Sequence, residues 1–198
     1  MFCHFRIFTS YGTATGSMFP EQIHMKQISF LIALFFATIA YVTGQAINTE
    51  KSVVDFKISK FGIKTVRGTF GGMKGEIHFD TTSLSSSYFD VCIDASTIHT
   101  GIKRRDEHLK SKDFFEVEKY PVICFKSDQI IKTSDGYITN GKLTMHGITR
   151  EITIPFRYSQ DTLKGTLTLK RLDYKVGENT GTFLVNNEVT LAIICYLK

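Results

Sequence analysis

The sequence lacks the short motifs that mark the common catalytic and metal sites. It contains no Gly-x-Ser-x-Gly nucleophile elbow, no His-Glu-x-x-His helix and no Cys-x-x-Cys pair. Glycines at positions 71, 72 and 75 superficially resemble a phosphate-binding loop, but no Gly-Lys-Ser/Thr and no strand-to-helix transition accompany them. We therefore predict no catalytic residue and no metal site, and we do not expect an enzyme.

The sequence has no long unbroken run of charge of one sign. There are 24 basic and 19 acidic residues, for a net charge of +5. The densest basic cluster, Lys103-Arg104-Arg105, is three residues long and contains no aromatic residue. That pattern is typical of a solvated helix face, so we predict no nucleic-acid partner.

One apolar run near the N-terminus indicates export. Lys26 follows Met25, residues 28–42 carry no charge, and small residues including Gly44 and Ala46 come next. The run is shorter than the roughly 20 apolar residues of a membrane-spanning helix. We interpret residues 25–46 as a signal peptide, with cleavage after either Gly44 or Ala46. The mature protein is then an exported, soluble chain.

The first 24 residues precede the basic start of that signal peptide. A signal peptide begins near its basic residue, so we interpret residues 1–24 as an upstream extension in front of the true start at Met25. Residues 47–198 then form one domain of ordinary size.

Cysteine is scarce in the mature chain, where Cys92, Cys124 and Cys195 are widely separated. No close pair or motif spacing points to a disulfide, so we expect three buried free thiols. Export makes a disulfide chemically feasible, and a Cys92–Cys124 bridge is the alternative.

The dominant pattern in residues 47–198 is an alternation of apolar and polar side chains. Val54, Phe56 and Ile58 alternate with polar residues, and the same period of two recurs to the C-terminus. Turn signals separate the segments, which predicts seven to nine short strands in an antiparallel sandwich or barrel. Four glycines between 68 and 75 interrupt what is otherwise patterned as one long strand, where they would curve the sheet.

One charged segment breaks this alternation. Residues 100–119 are rich in charge, and their main apolar points are Ile102, Leu109 and the Phe114-Phe115 pair. We predict a short helix near 102–111 that covers one mouth of the barrel, with the two phenylalanines packed behind it.

The mature chain has ten phenylalanines and no tryptophan. Many of the phenylalanines fall on the apolar side of predicted strands. An eight-stranded barrel has an interior that side chains fill or that holds one small ligand, and the pattern alone leaves both outcomes open.

A series of short segments carries a family resemblance over nearly the whole mature chain. They are Ser-Val-Val-Asp-Phe at 52–56, Val-Arg-Gly-Thr-Phe at 66–70, Arg-Asp-Glu-His-Leu at 105–109, Phe-Phe-x-Val-Glu-Lys-Tyr-Pro at 114–121, Phe-x-Ser at 125–127, Gly-x-Leu-Thr-x-x-Gly-Ile-Thr at 141–149, and Arg-x-Asp-Tyr at 171–174. In order and spacing they resemble the YceI-like family of periplasmic lipid-binding proteins.

The resemblance implies an all-β, eight-stranded antiparallel lipocalin-like barrel whose elongated cavity takes a polyisoprenoid chain, such as that of a quinone or a prenyl phosphate. No other cofactor is implied. Transient contact with a membrane or a membrane protein, and a homodimer, are left open. The sequence departs from the family at Ser59-Lys60-Phe61-Gly62, where many members carry a histidine, and at Lys175, where a glycine is common.

The predicted cavity wall consists of apolar side chains on the inward faces of the strands, with two phenylalanines closing one end. These are Phe56, Phe70, Ile77, Phe79, Phe89, Val91, Ile93, Phe114, Phe115, Ile123, Phe125, Leu143, Met145, Ile154, Phe156, Leu167, Leu169 and Phe183. The candidates for polar contacts with the ligand are Arg105, Asp106, His108, Arg171 and Asp173. The same five residues would otherwise form an ion-paired network that fixes the helix to the barrel.

Two alternatives to a lipid carrier stay open at this point. One is a structural or partner-binding module with a solid core. The other is an enzyme acting on a bound lipid, for which Asp106 and His108 are the pair that would supply acid and base.

Overall fold

The computed structural model describes residues 44–198. The upstream extension predicted for residues 1–24 and the signal peptide predicted for residues 25–46 lie outside the described residues, except for Gly44 to Ala46. Within residues 44–198, no helix is long and apolar enough to span a membrane.

The described chain is built mainly from nine antiparallel strands. They are β1 (Val53–Lys60), β2 (Lys64–Phe70), β3 (Lys74–His78), β4 (Tyr88–Asp94), β5 (Val122–Thr133), β6 (Gly136–Met145), β7 (Ile148–Ser159), β8 (Thr162–Lys170) and β9 (Val185–Tyr196). They form one sheet in the order β2-β1-β9-β8-β7-β6-β5-β4-β3. The sheet curls into a half-barrel, which confirms the all-β, lipocalin-like prediction.

The strand count is nine, within the seven to nine that the pattern predicts, whereas the family resemblance implied eight. The glycine-rich stretch that we interpreted as one long strand is two strands, β2 and β3, separated by residues 71–73. Gly72 has a φ of +66°, in the left-handed region that glycine adopts without strain, and the strand is interrupted there. The two resulting strands are the edges of the sheet.

A short segment after β4 pairs with the end of the edge strand β2, where no continuous ladder forms. Thr69 at the end of β2 exchanges backbone hydrogen bonds with His99, at 2.8 and 3.0 Å. The Gly71 amide donates to Thr97 Oγ1 at 2.9 Å, and the Gly71 carbonyl accepts from the Asp94 amide at 3.3 Å. We call this contact between residues 69–71 and 94–99 the seam.

Two hairpin turns lie between alternating segments, where the sequence analysis placed turn signals. His146 and Gly147 link β6 to β7 with φ values of 52° and 74°, and Gln160 and Asp161 link β7 to β8 with φ values of 51° and 53°. Two central residues with positive φ fit a two-residue turn whose twist matches that of antiparallel strands.

The single α-helix of the described chain, α1 (Lys103–Lys110), confirms the predicted helical insertion. The segment that follows α1 turns back onto the sheet, where the Phe115 ring meets the edge of the Phe70 ring at a centroid distance of 5.3 Å. This contact holds the insertion at one end of the barrel.

The cysteine prediction was wrong at two of three positions. Cys92 on β4 and Cys124 on β5 are directly opposite in the register of the two strands and form a disulfide. The pairing could not be seen in the sequence because the register of β4 against β5 is set across 32 residues. Cys195 is a buried free thiol, and burial raises its pKa to about 11.

We expect the Cys92–Cys124 bridge to contribute to stability by restricting the unfolded chain. For a separation of 32 residues, the chain-entropy relation predicts a loss of about 2–4 kcal/mol in the free energy of unfolding on reduction. The measurement is urea unfolding with and without dithiothreitol. The Cys92→Ser/Cys124→Ser variant is the control, since its midpoint should match the reduced protein and ignore the reductant. An unchanged wild-type midpoint on reduction would contradict the prediction.

Candidate functional site

The curled sheet encloses an internal cavity of about 440 Å³. All nine strands contribute side chains to its wall, and almost all of these side chains are apolar. Ligand cavities in proteins commonly measure about 300–1,000 Å³. The interior is therefore hollow, which disagrees with the solid-core alternative.

Sixteen of the eighteen predicted wall residues line this cavity. They are Phe56, Phe70, Ile77, Phe89, Val91, Ile93, Phe114, Phe115, Ile123, Phe125, Leu143, Met145, Ile154, Phe156, Leu167 and Leu169. The structure thus places them where a ligand would lie, and their contact with a ligand stays a prediction.

Phe79 was placed wrongly in the wall. It is buried in an aromatic cluster, with ring centroids 5.0 Å from Tyr137, 5.1 Å from Tyr158 and 5.5 Å from Phe156. The tyrosines flank the turns of the β5–β6 and β7–β8 hairpins, and Phe89 and Phe156 belong to both the cluster and the cavity wall. This cluster closes one end of the cavity.

The placement of Phe183 in the wall was also wrong. Its side chain is 80% exposed, in the loop that precedes β9. Alternation predicts which side of a strand a residue occupies, and residue 183 lies before the strand begins at Val185. Its ring contacts that of Phe61 at a centroid distance of 6.5 Å, on the outside of the molecule.

The cavity opens at the end opposite the aromatic cluster. Its lining there includes Lys60, Phe61 and Leu184, which are all exposed to solvent. The β1–β2 turn, the loop before β9 and helix α1 surround this opening, and we call it the mouth.

Some lining residues were missed by the sequence analysis. Val189, Leu191 and Ile193 on β9 line the cavity, and their alternation was a visible signal that we did not use. Met73 and Ile98 also line the cavity but lie between regular elements, where no periodic signal marks them.

Thr139 is a polar residue in this apolar wall. It is 2% exposed, and its Oγ1 has no hydrogen-bond partner among the described residues. Thr139 lies two residues from Tyr137 on β6, near the closed end. A buried hydroxyl without a partner is unfavourable, so a polar atom of a ligand or a water molecule at this depth would be stabilised by it.

Arg171 lies at the mouth and is 4% exposed. The predicted ion pair with Asp173 is absent, because the Asp173 side chain points to solvent and only its backbone carbonyl is used, by Arg150 Nε at 2.8 Å. The guanidinium instead donates to five backbone carbonyls, those of Asn186 from Nε, Val176 and Gly177 from Nη1, and Thr180 and Val185 from Nη2, at 2.6–3.0 Å. Burial lowers the pKa of Arg171.

Helix α1 presents Arg105 and His108 to the cavity, but not Asp106. Asp106 is buried and accepts hydrogen bonds from the backbone and side chain of Thr100, and its carboxylate lies 3.3 Å from His99 Nδ1. Burial alone would raise the pKa of Asp106, but the hydrogen bonds from Thr100 and the charges of His99 and Arg105 together lower it. Asp106 thus fixes the start of the helix to Thr100 and to His99 of the seam.

Asp106 and His108 are not brought together as an acid–base pair. The Asp106 carboxylate faces Thr100 and His99, whereas His108 Nε2 lies 3.4 Å from Asp113. Side chains two positions apart on a helix point in different directions. Within residues 44–198, no three His, Cys, Asp or Glu side chains cluster in a way that would hold a metal ion.

The half-barrel, its apolar cavity and the helical cover define the class of the protein as a lipocalin-like β-barrel with an internal ligand-sized cavity. The YceI-like domain model matches residues 45–195, and the chain belongs to the YceI-like family.

Individual relatives agree with this assignment. The UPF0312 protein YE1254 of Yersinia enterocolitica is 28% identical over 132 residues, which cover 63% of this chain and 69% of that protein. The crystal structure of BcnA from Burkholderia cenocepacia has a TM-score of 0.69 at 27% identity, covering 75% of this chain and 98% of BcnA. A polyisoprenoid binding domain from Saccharophagus degradans shares the fold, with a TM-score of 0.60 at 18% identity over 79% of this chain and 98% of that domain.

Replacing Arg171 with methionine should destabilise the mouth. The substitution keeps an unbranched apolar stem but leaves five carbonyls without their donor, so we expect a loss of about 3–5 kcal/mol in the free energy of unfolding. The measurement is urea unfolding, with hydrogen exchange to locate the effect in residues 176–186.

Arg157→Met is the matched control, because Arg157 is exposed and makes one hydrogen bond, to the Asp135 carbonyl. It should change stability by less than about 1 kcal/mol. Equal effects of the two substitutions would show that the carbonyl cluster around Arg171 has no special role.

Proposed function

We propose that this protein is an exported, non-enzymatic carrier that holds a long apolar lipid of the polyisoprenoid type in its barrel. The observation that carries the proposal is the 440 Å³ cavity with an almost entirely apolar wall, closed at one end and open at the other. Such a shape fits one flexible hydrocarbon chain that enters through the mouth and ends against the aromatic cluster.

The physical driving force is the removal of apolar surface from water. Each 100 Å² of buried hydrocarbon contributes about 2.5 kcal/mol, against which stands the entropy of ordering the chain. A tail that buries several hundred Å² can therefore bind tightly without any polar contact along its length. The wall needs only the right shape and apolarity.

The ligand class is proposed from likeness as well as from the cavity. The Saccharophagus degradans domain, described as polyisoprenoid binding, has the same fold at 18% identity. Because the identity is low, the support for the same ligand class comes from the shared fold. It does not come from matching ligand contacts.

Arg105 and His108 are the proposed contacts for the head group of the lipid. Both line the cavity next to the mouth, and both side chains can donate hydrogen bonds to a phosphate or to a quinone carbonyl. Arg105 is oriented by Thr100, which accepts from its Nε and Nη2 at 2.8 Å. Arg171 is a poorer candidate, since backbone carbonyls already occupy its donors.

Lipid binding is tested by solvent extraction and by narrowing the cavity. Purified protein is extracted with organic solvent, and the extract is analysed by mass spectrometry. We expect an isoprenoid lipid from the wild type.

Val189 lines the cavity, so Val189→Trp fills part of the space that the tail occupies. This overpacking should weaken binding of added ubiquinone by about 5- to 150-fold, equivalent to about 1–3 kcal/mol.

Thr190→Trp is the matched control, because Thr190 is the next residue of β9 and points to solvent. It should bind as the wild type does. An extract without lipid, together with equal ubiquinone binding by both tryptophan variants, would refute a ligand site in the barrel.

Export to the periplasm and cleavage after Gly44 are part of the proposal. The Cys92–Cys124 disulfide favours an oxidising compartment. Gln45 is integrated into the fold, because its amide donates to the Ile77 carbonyl at 2.6 Å and its side chain accepts from the Phe79 amide at 3.1 Å. Cleavage after Ala46 would remove both bonds.

Export and the cleavage position are checked by the intact mass of protein recovered from the periplasm of a Gram-negative host. The expected product begins at Gln45. A product that begins at Ile47 would contradict the proposed cleavage position, and a product that retains residues 25–44 in the membrane fraction would contradict export itself.

A further inference from the structure

Exposed apolar side chains are concentrated beside the mouth. Phe61 is 44% exposed, Ile63 85%, Phe183 80% and Leu184 45%, and they make up four of the seven exposed large hydrophobic residues of the described chain. All four lie in two loops, the β1–β2 turn and the end of the loop before β9. We call these four side chains the mouth patch.

The two loops form one continuous surface with the cavity. The Phe61 amide donates to the Leu184 carbonyl at 3.2 Å, and the Phe61 and Phe183 rings meet edge to face. Phe61 and Leu184 also line the cavity. The mouth patch therefore extends the apolar wall of the cavity outwards onto the surface through Phe61 and Leu184.

Positive charge flanks the mouth patch on the side of the β1–β2 hairpin. Residues 56–75 contain five basic residues and no acidic one. Of these, Lys57, Lys60, Lys64 and Arg67 are exposed along the β1–β2 hairpin, and Lys60 Nζ lies 5.2 Å from the centre of the Phe61 ring. One acidic residue, Glu178, lies in the loop before β9.

We propose that the mouth patch docks on the surface of an anionic lipid bilayer, so that a lipid passes between membrane and cavity without crossing water. The inference rests on the proposed lipid-carrier function, since it gives the mouth its source of ligand. Apolar side chains at the tip of a hairpin enter the interface between head groups and acyl chains, while flanking lysines stay at the level of the phosphates.

The same charge distribution argues against a second copy of this chain as the occupant. A two-fold interface through the mouth patch would bring two basic hairpins against each other, with like charges facing like charges. An anionic membrane supplies the opposite charge to the hairpin and an apolar layer to the patch.

The test measures cosedimentation with vesicles, using protein expressed from the full chain. Vesicles of phosphatidylglycerol and phosphatidylethanolamine in equal parts should bind the protein, and phosphatidylcholine vesicles should bind it much more weakly. Ile63→Ser/Phe183→Ser removes the two most exposed side chains of the patch, neither of which lines the cavity. It should weaken binding about tenfold or more.

A second variant tests the charge. Lys57→Gln/Lys64→Gln should weaken binding to the anionic vesicles by about 10- to 30-fold. The matched controls are Ile131→Ser, at an apolar residue 42% exposed on β5, and Lys132→Gln/Lys164→Gln, at lysines near the closed end. Both controls should bind as the wild type does. Unchanged binding of the patch variant, or an equal loss in the controls, overturns the proposal.

Sedimentation equilibrium and lipid extraction on the same proteins separate the remaining outcomes. A dimer that Ile63→Ser/Phe183→Ser dissociates, with no vesicle binding by the wild type, assigns the patch to a second copy and overturns the proposal. Extracted isoprenoid without vesicle binding refutes docking and leaves the carrier function standing. Vesicle binding by a protein that neither yields nor takes up an isoprenoid refutes the carrier function alone.

Discussion

The buried guanidinium of Arg171 organises the open end of this barrel. Five backbone carbonyls between residues 176 and 186 accept hydrogen bonds from it, so this loop without regular structure is fixed by one side chain. Gly177 is part of this arrangement. Its φ is +63°, and a Cβ there would lie 2.6 Å from the Phe114 ring, so only glycine lets the loop close against the helical insertion.

The contact between Gly177 and Phe114 links this loop to the helical insertion on the other side of the mouth. Phe114 and Phe115 carry the insertion onto the cavity, and Asp106 ties the start of helix α1 to Thr100 and His99 at the seam. The rim of the cavity is thus made of irregular segments, each fixed by hydrogen bonds to backbone atoms. Solvation of a charged group by carbonyl dipoles replaces the ion pair that a buried arginine would usually need.

Much of the barrel could be predicted from the sequence, because an inward residue on a strand is followed two positions later by another. Phe89, Val91 and Ile93 on β4, and Ile123 and Phe125 on β5, were placed on the inward face by this rule, and the family resemblance supplied the expectation of a cavity. The rule fails outside strands. Phe183 precedes β9 and points to solvent, while Met73 and Ile98 line the cavity from positions without a period.

The strand register and the loop conformation could not be predicted from the sequence, because both depend on contacts between distant residues. The Cys92–Cys124 disulfide depends on how two strands align across an intervening helix, and the Arg171 cluster depends on carbonyls that any residue could supply. Thr139 shows the same limit, since a threonine on a strand gives no sign that its hydroxyl lacks a partner. The residue types predict which face of a strand each side chain occupies. The strand register, the loop conformation and the hydrogen-bond partners depend on residues far apart in the sequence.

The seam has a mechanical consequence for the barrel. Separating most neighbouring strands would break a full ladder of hydrogen bonds, and parting β4 from β5 would also break a covalent bond, whereas parting β2 from the 94–99 segment breaks only a few bonds around Thr69 and Gly71. A ligand wider than the cavity would therefore separate β2 from residues 94–99 first, while the disulfide keeps β4 and β5 together.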